Sequence, residues 1–235
     1  MGHFASSTSL AIELVLHALA PARCAACDAR VKLLAAFCPA CASTTEAAPA
    51  GAAAALVYAG AVAAAIVRMK YASRPDLARP LGDLLWRSVE PRAAAWRGAL
   101  VVPVPLHPVR LTERGFNQSA LLAARVVGRL DGRFEPRGLV RTRETPRQTT
   151  LDRAARATNV AGAFRARDAS VVRGRAVLLV DDVATTGATL DACARALLDA
   201  GAASVGRAVV AVAAHRVVAA SQGAVQSEPR TRWRS

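Results

Sequence analysis

The sequence predicts an α/β fold: a twisted, mainly parallel sheet covered on both faces, with a small cysteine-rich unit in front of it. Apolar runs that read as buried strands lie at 99–106 (ALVVPVPL), 175–180 (RAVLLV) and 207–213 (RAVVAVA). Segments of helical periodicity lie between them, and strands alternating with helices build parallel sheets whose faces are both covered. Two CxxC pairs fall within residues 24–41, ahead of the first of these strands.

The elements follow in order along the chain. Residues 10–20, LAIELVLHALA, place Leu10, Leu14, His17 and Ala18 on one helical face, so they read as an amphipathic helix leading into the cysteines. The stretch has the look of a secretory core, but Glu13 interrupts it and no lysine or arginine precedes it. A cytoplasmic location follows as the expectation, with peripheral association at a membrane left open. Residues 43–54, STTEAAPAGAAA, read as a linker. Residues 61–72 read as a helix, and 76–90 as another interrupted near Pro80. The strand at 99–106 ends in prolines, and 117–130 has helical periodicity through Leu121, Leu122, Arg125, Val126 and Leu130. GLVRT at 138–142 is a short strand, 143–150 a polar loop and 151–159 a short helix. After the strand at 175–180 a helix begins near Ala188, in which Cys193 shares a face with Leu190, Ala194 and Leu197 as a small buried residue. The polar, arginine-bearing end, 216–235, reads as a disordered tail. Three units are therefore expected: 1–50, 51–215 and 216–235.

At 235 residues the chain holds one full domain and a small appendage, since domains run to roughly 100–200 residues. With 53% apolar and 20% charged residues it is not a mainly disordered protein. No run of 18 or more uncharged apolar residues is present, so no spanning helix is expected. The net charge is +14, and every basic residue except Lys32 and Lys70 is arginine. Such a balance favours phosphate-bearing partners, nucleotides or nucleic acid.

Cysteine chemistry is the sharpest signal. Cys24, Cys27, Cys38 and Cys41 are spaced C-x2-C, ten residues, C-x2-C. Two residues between sulfurs let both thiolates of a knuckle face one ion, and four thiolates close a tetrahedral, structural Zn2+ site. Two disulfides are the competing reading, but these need an oxidising compartment.

The second signal is VLLVDDVATTGATL, residues 177–190. A buried strand runs into Asp181 and Asp182, and Thr185, Thr186, Gly187, Ala188 and Thr189 then open a helix. Ligands bind at the carboxyl ends of strands in open α/β sheets. Unpaired amides and the dipole at a helix N-terminus favour an anion, and small residues let it come close. Gly187 can take a positive φ, and the threonine hydroxyls can donate. Like charge keeps the two acids off that anion, so they are placed to accept from sugar hydroxyls or to hold the outer shell of Mg2+. An anion cradle beside a diol acceptor describes a ribose 5-phosphate. The GxxxxGK[ST] and GxGxxG loops are absent, which removes the support for kinase-type and dinucleotide readings.

This segment resembles the phosphoribosyl pyrophosphate (PRPP) signature of type I phosphoribosyltransferases. Together with MKYAS around Lys70 and Tyr71, VPVPLHPVRLTERGFNQS at 102–119, RTRETPRQTTLDRAARATNVAGAF at 141–164 and the paired CxxC units, the chain resembles the ComF family of competence-associated proteins. The resemblance implies the type I phosphoribosyltransferase fold, with a mainly parallel sheet of about five strands behind a zinc knuckle. It implies that Asp181, Asp182, Thr185, Thr186, Gly187, Ala188 and Thr189 bind PRPP, with Mg2+. The loop after the 99–106 strand becomes the pyrophosphate loop, with Pro105 and His107 beside the diphosphate. Arg110 and Arg114 suit a diphosphate because guanidinium forks match phosphate oxygens. Gly115 allows a tight turn and Asn117 is placed to cap the next helix. The stretch holding Arg141, Arg147, Gln148 and Arg156 reads as a flap closing over the ligand and excluding water. The implied activity is phosphoribosyl transfer. The alternative is a non-catalytic module of the transformation machinery that binds single-stranded DNA or a helicase-like competence protein. With only 4% aromatic residues, such binding would be mainly electrostatic.

Overall fold

Alternation along the central strands decides where the helices sit. The computed structural model describes residues 21–49, 51–143 and 162–214. Its elements are α1 (Pro39–Ala42), β1 (Ala54–Val57), α2 (Gly60–Tyr71), α3 (Ala78–Val89), β2 (Leu100–Pro103), α4 (Pro108–Arg114), α5 (Gln118–Val127), β3 (Arg133–Phe134), β4 (Leu139–Arg141), β5 (Phe164–Ala166), α6 (Ala169–Val172), β6 (Ala176–Ala184), α7 (Ala188–Asp199) and β7 (Ser204–Val212). Five strands form one sheet in the order β1-β7-β6-β2-β3, and every pairing in it is parallel. Successive side chains on a strand point to opposite faces. Val101, Leu178, Val180, Ala208 and Val210 accordingly pack with α2, α3 and α5 through Ile66, Met69, Leu81, Leu85, Leu122 and Val126. Their neighbours Leu100, Val102, Val177, Leu179 and Val209 pack on the other face with Leu190, Cys193 and Leu197 of α7. Both faces are covered, so the strand sequences are continuous apolar runs.

The parallel α/β architecture agrees with the sequence reading; several details differ. Pro80 does not interrupt a helix. It lies in the first turn of α3, where its missing N–H has no helical acceptor to lose. Residues 43–54 are not a plain linker: Val57 N–H donates to Glu46 O and Ala48 N–H to Ala55 O, tying this stretch to β1. The strand expected at 138–142 is β4, and it leaves the main sheet to pair antiparallel with β5. The strand expected at 175–180 continues to Ala184, with Asp181 and Asp182 inside it. The amphipathic helix at 10–20, the helix at 151–159, most of the loop at 143–150 and the tail at 216–235 lie outside the described residues. Among the described residues no helix is long and apolar enough to cross a membrane.

Gly206 shows how tightly the sheet is covered. A Cβ built there would fall inside the indole of Trp96. Gly206→Ala is therefore expected to destabilise the fold by about 1–3 kcal/mol through overpacking, read from urea denaturation midpoints. An unchanged midpoint would show that Trp96 moves aside freely.

Candidate functional site

β2 ends beside the middle of β6, in register from Leu100 with Val177 to Pro103 with Val180, and β6 itself ends at Ala184. Val104 N–H donates to Val180 O at 2.9 Å and extends that pairing into the loop before α4. Beyond these ends opens a cavity of about 600 Å³. Its lining includes Asp181, Asp182, Thr185, Thr186, Gly187, Ala188 and Thr189, which the sequence places together, and Pro105, Arg110, Arg114 and Arg141. A cavity of this size at the strand ends matches where ligands sit in open α/β sheets.

The turn into α7 forms a tight bend that lines the cavity. Gly187 is the N-cap with φ +84°, a left-handed conformation that glycine adopts without a Cβ clash. Thr186 Oγ1 accepts from Ala188 N–H at 3.3 Å, and Asp191 N–H closes the first turn on Gly187 O at 2.8 Å. Gly187 and its neighbours thus stand at the start of a 12-residue helix, the end of the dipole that favours negative charge.

The acids at the strand end are buried, not solvated: Asp181 is 8% exposed and Asp182 3%. Asp181 Oδ1 accepts from Ser119 Oγ at 2.7 Å and from Asp182 N–H at 2.9 Å. Asp182 Oδ1 accepts from Gln118 Nε2 at 3.3 Å, while its Oδ2 is ion-paired with the Lys70 ammonium. Burial, and next the charge of Asp182, push the Asp181 carboxyl up to about 7. Burial alone would lower the Lys70 ammonium, but Asp182 and Asp181 hold it above the ordinary lysine value. The floor of the cavity is thus a coupled set of two carboxylates and one ammonium, with hydroxyl and amide groups around it.

At the mouth, the Arg114 guanidinium lies over the Tyr71 ring, 5.4 Å from its centre, and donates to Gln118 Oε1 at 2.5 Å. Gly115 ends α4 with φ +78°, and Asn117 Oδ1 caps α5 by accepting from Ser119 N–H at 3.0 Å, as read from the sequence. Asn117 Nδ2 also donates to Val104 O at 3.1 Å, fixing α5 to the loop after β2. His107 stands apart from the lining: it precedes α4, and its buried Nδ1 has no hydrogen-bond partner among the described residues. Arg147, Gln148 and Arg156 lie outside the described residues.

Lys70, Tyr71, Tyr58, Gln118 and Ser119 also line the cavity, and sequence reasoning assigned them no role there. One signal was available for Lys70. In a chain whose other basic residues, Lys32 excepted, are arginine, a retained lysine marks a place where a compact ammonium fits and a guanidinium fork does not.

The second constellation lies at the amino-terminal side. The sulfurs of Cys24, Cys27, Cys38 and Cys41 all lie within 4.8 Å of one another. Cys27 Sγ and Cys38 Sγ are 3.7 Å apart. A tetrahedron with Zn–S bonds near 2.3 Å has sulfur–sulfur edges of about 3.8 Å, so the donor set fits that ion. Burial raises the Cys24 thiol, but the backbone amides of Cys38, Cys27 and Ala26 outweigh it and bring it down to about 6. The hydrogen bond with Cys27, and then burial, push Cys41 up to about 12. The first sulfur ionises readily and the last resists, so a fully ionised set needs a cation at its centre.

Residues 117–231 match the Phosphoribosyl transferase domain. Together with the parallel sheet, this defines a phosphoribosyltransferase-type protein. The chain is 36% identical to DNA utilization protein YhgH of Escherichia coli (strain K12) over 151 residues, which cover 63% of this chain and 66% of that protein. It is 32% identical to Competence protein F of Haemophilus influenzae over 140 residues, covering 58% and 61% respectively. These relatives, that domain and the four-cysteine cluster fit a ComF-family protein. The matched region spans less than two thirds of the relatives' own length. Similar solved structures include a protein from Thermus thermophilus (18% identity, 67% of this chain and 86% of that one, TM-score 0.37). Another is the allosteric regulatory enzyme of purine biosynthesis (23%, 58% and 25%, TM-score 0.36).

Proposed function

We propose that the cavity binds PRPP with Mg2+ and that the chain serves DNA utilization, as the names of its relatives state for them. The observation that carries the proposal is one bend: Gly187 at φ +84° opening α7 beside two buried aspartates. Amides and hydroxyls from Thr185 to Thr189 take the 5-phosphate, because the positive end of the α7 dipole favours an anion there. Asp181 and Asp182 accept from the ribose hydroxyls, exchanging Ser119 and Gln118 for the sugar. Arg110 and Arg114, beside Pro105, lie where a diphosphate meets guanidinium groups. When bound, Mg2+ supplies neutralisation of the diphosphate charge. If a phosphoribosyl group is transferred, the C1–oxygen bond to diphosphate breaks and a bond from C1 to the acceptor forms, with diphosphate as leaving group. Exclusion of water by Arg141 and the segment after it protects the electron-poor C1 from hydrolysis.

Isothermal calorimetry of PRPP and ribose 5-phosphate with Mg2+, coupled to a diphosphate-release assay with candidate acceptors, tests this reading. Saturable binding of PRPP with one site per chain is expected. Absence of binding by both sugar phosphates overturns it.

The net charge of +14 favours a second reading, a non-catalytic module for single-stranded DNA or a helicase-like partner. On that reading DNA affinity falls about linearly, on logarithmic axes, with salt. A flat response removes the electrostatic account.

A further inference from the structure

The cysteine unit grips α2 at both ends, and the last turn of α2 delivers Lys70 and Tyr71 to the cavity. At the first turn, the helix has an alanine at its N-cap position and no cap from its own residues. Thr44, three residues beyond Cys41, supplies one instead: its Oγ1 accepts from Ala61 N–H at 3.0 Å and donates to Cys41 O at 2.8 Å. The approach is close, since a Cβ on Gly60 would strike Thr44.

At the last turn the grip is ionic. Asp28, next to Cys27, is ion-paired with Arg68, and Arg74 Nη1 lies 3.1 Å from Asp28 Oδ1. Arg68 Nη1 also donates to Ala25 O at 2.9 Å, between the first two cysteines. The turn that aims Asp28 belongs to the cysteine unit: Asp28 N–H donates to Cys24 O at 3.0 Å, and its φ is +63°. Ala25 itself is buried in the same core as Ile66 and Met69 of α2. Lys70 follows Arg68 by two residues and holds Asp182 on the cavity floor.

We propose that the four-cysteine unit is a positioning device for the ligand cavity: through Asp28, Arg68 and the Thr44 cap it fixes α2, and so fixes where Lys70 holds Asp182. Asp28, Arg68 and Thr44 are positioning residues that touch no ligand. The proposal rests on the phosphoribosyl reading of the cavity. A unit that served only to stabilise the chain, or to bind a separate partner, would have no energetic link to Lys70.

The test uses the full chain loaded with Zn2+, with PRPP and Mg2+ titrated calorimetrically. Asp28→Asn is expected to retain one zinc per chain and the thiolate charge-transfer spectrum after cobalt substitution, yet to weaken PRPP binding about tenfold. In a Lys70→Met background the same substitution is expected to cost no further affinity, because its effect runs through Lys70. Unchanged affinity in Asp28→Asn overturns the proposal, and so does an equal loss in both backgrounds. Should Asp28→Asn lose its metal or fold, Thr44→Ala, which removes one hydroxyl at the opposite end of α2, is read by the same two criteria. If the parent chain binds neither PRPP nor ribose 5-phosphate, the reading of the cavity fails first and the positioning role falls with it.

Discussion

Asp181→Asn is expected to stabilise the ligand-free protein by about 1–3 kcal/mol at pH 8 while weakening PRPP binding at least tenfold. The carboxyl is buried beside Asp182 and is pushed up to about 7, so above that pH the fold carries a desolvated charge next to a like one. An asparagine keeps an oxygen to accept from Ser119 and from Asp182 N–H, and it carries no charge. The sign follows from the raised value. Stability from the neutral carboxyl is fully present below the unfolded value near 4 and is lost as pH rises through about 7. The advantage of asparagine therefore grows between about pH 4 and pH 7, is level above that and vanishes near pH 4. Ribose hydroxyls donate best to the ionised acid, so PRPP affinity of the parent protein falls as pH drops below about 7. Thermal melts of both proteins across pH 4–8 check the stability curve, and a parallel pair of curves would refute the burial account.

Chelation of the metal is expected to have the other large effect. Four thiolates around Zn2+ contribute an apparent binding free energy of about 10–16 kcal/mol near neutral pH, much of it as folding energy. The described cysteine segment has few apolar contacts of its own beyond Ala25, Ala36 and Phe37 on the core, so without the ion its two knuckles repel or loosen. Loss of several kcal/mol lowers Tm by about 10 °C or more in a chain this size. Zinc release of one equivalent per chain, followed with a chromogenic indicator, and calorimetric melting check this. Cys38→Ser reproduces it, and melting insensitive to a strong chelator would contradict it.

The sheet was legible because its strands are buried on both faces. RAVLLV and RAVVAVA are continuous apolar runs that admit few other readings, and both proved to be central strands. The cysteine spacing was equally direct: ligand chemistry is written in residue type and separation, and the four sulfurs converge. The bend at Gly187 was legible because a positive φ there has few alternatives to glycine. β4 was read as a strand, but its antiparallel partner β5 was not: a strand of three residues is shorter than any useful periodicity window. Burial of the acids was hidden because β6 continues through its own charges, which only the Lys70 ion pair and the Ser119 and Gln118 bonds make tolerable. Those partners lie more than 60 residues away in α5 or on α2, and pairing at that separation leaves no local trace. The Thr44 cap on α2 was missed for the same reason, since the helix borrows it from across the chain.

The most direct measurement of the central claim is a residue-by-residue titration of backbone amide resonances with ribose 5-phosphate. If the bend into α7 cradles the phosphoryl group while the buried acids accept the sugar, shifts concentrate at Thr185, Thr186, Gly187, Ala188 and Thr189 and at Asp181 and Asp182. Saturating shifts elsewhere with those seven amides unmoved would place the ligand in another part of the molecule and contradict the account.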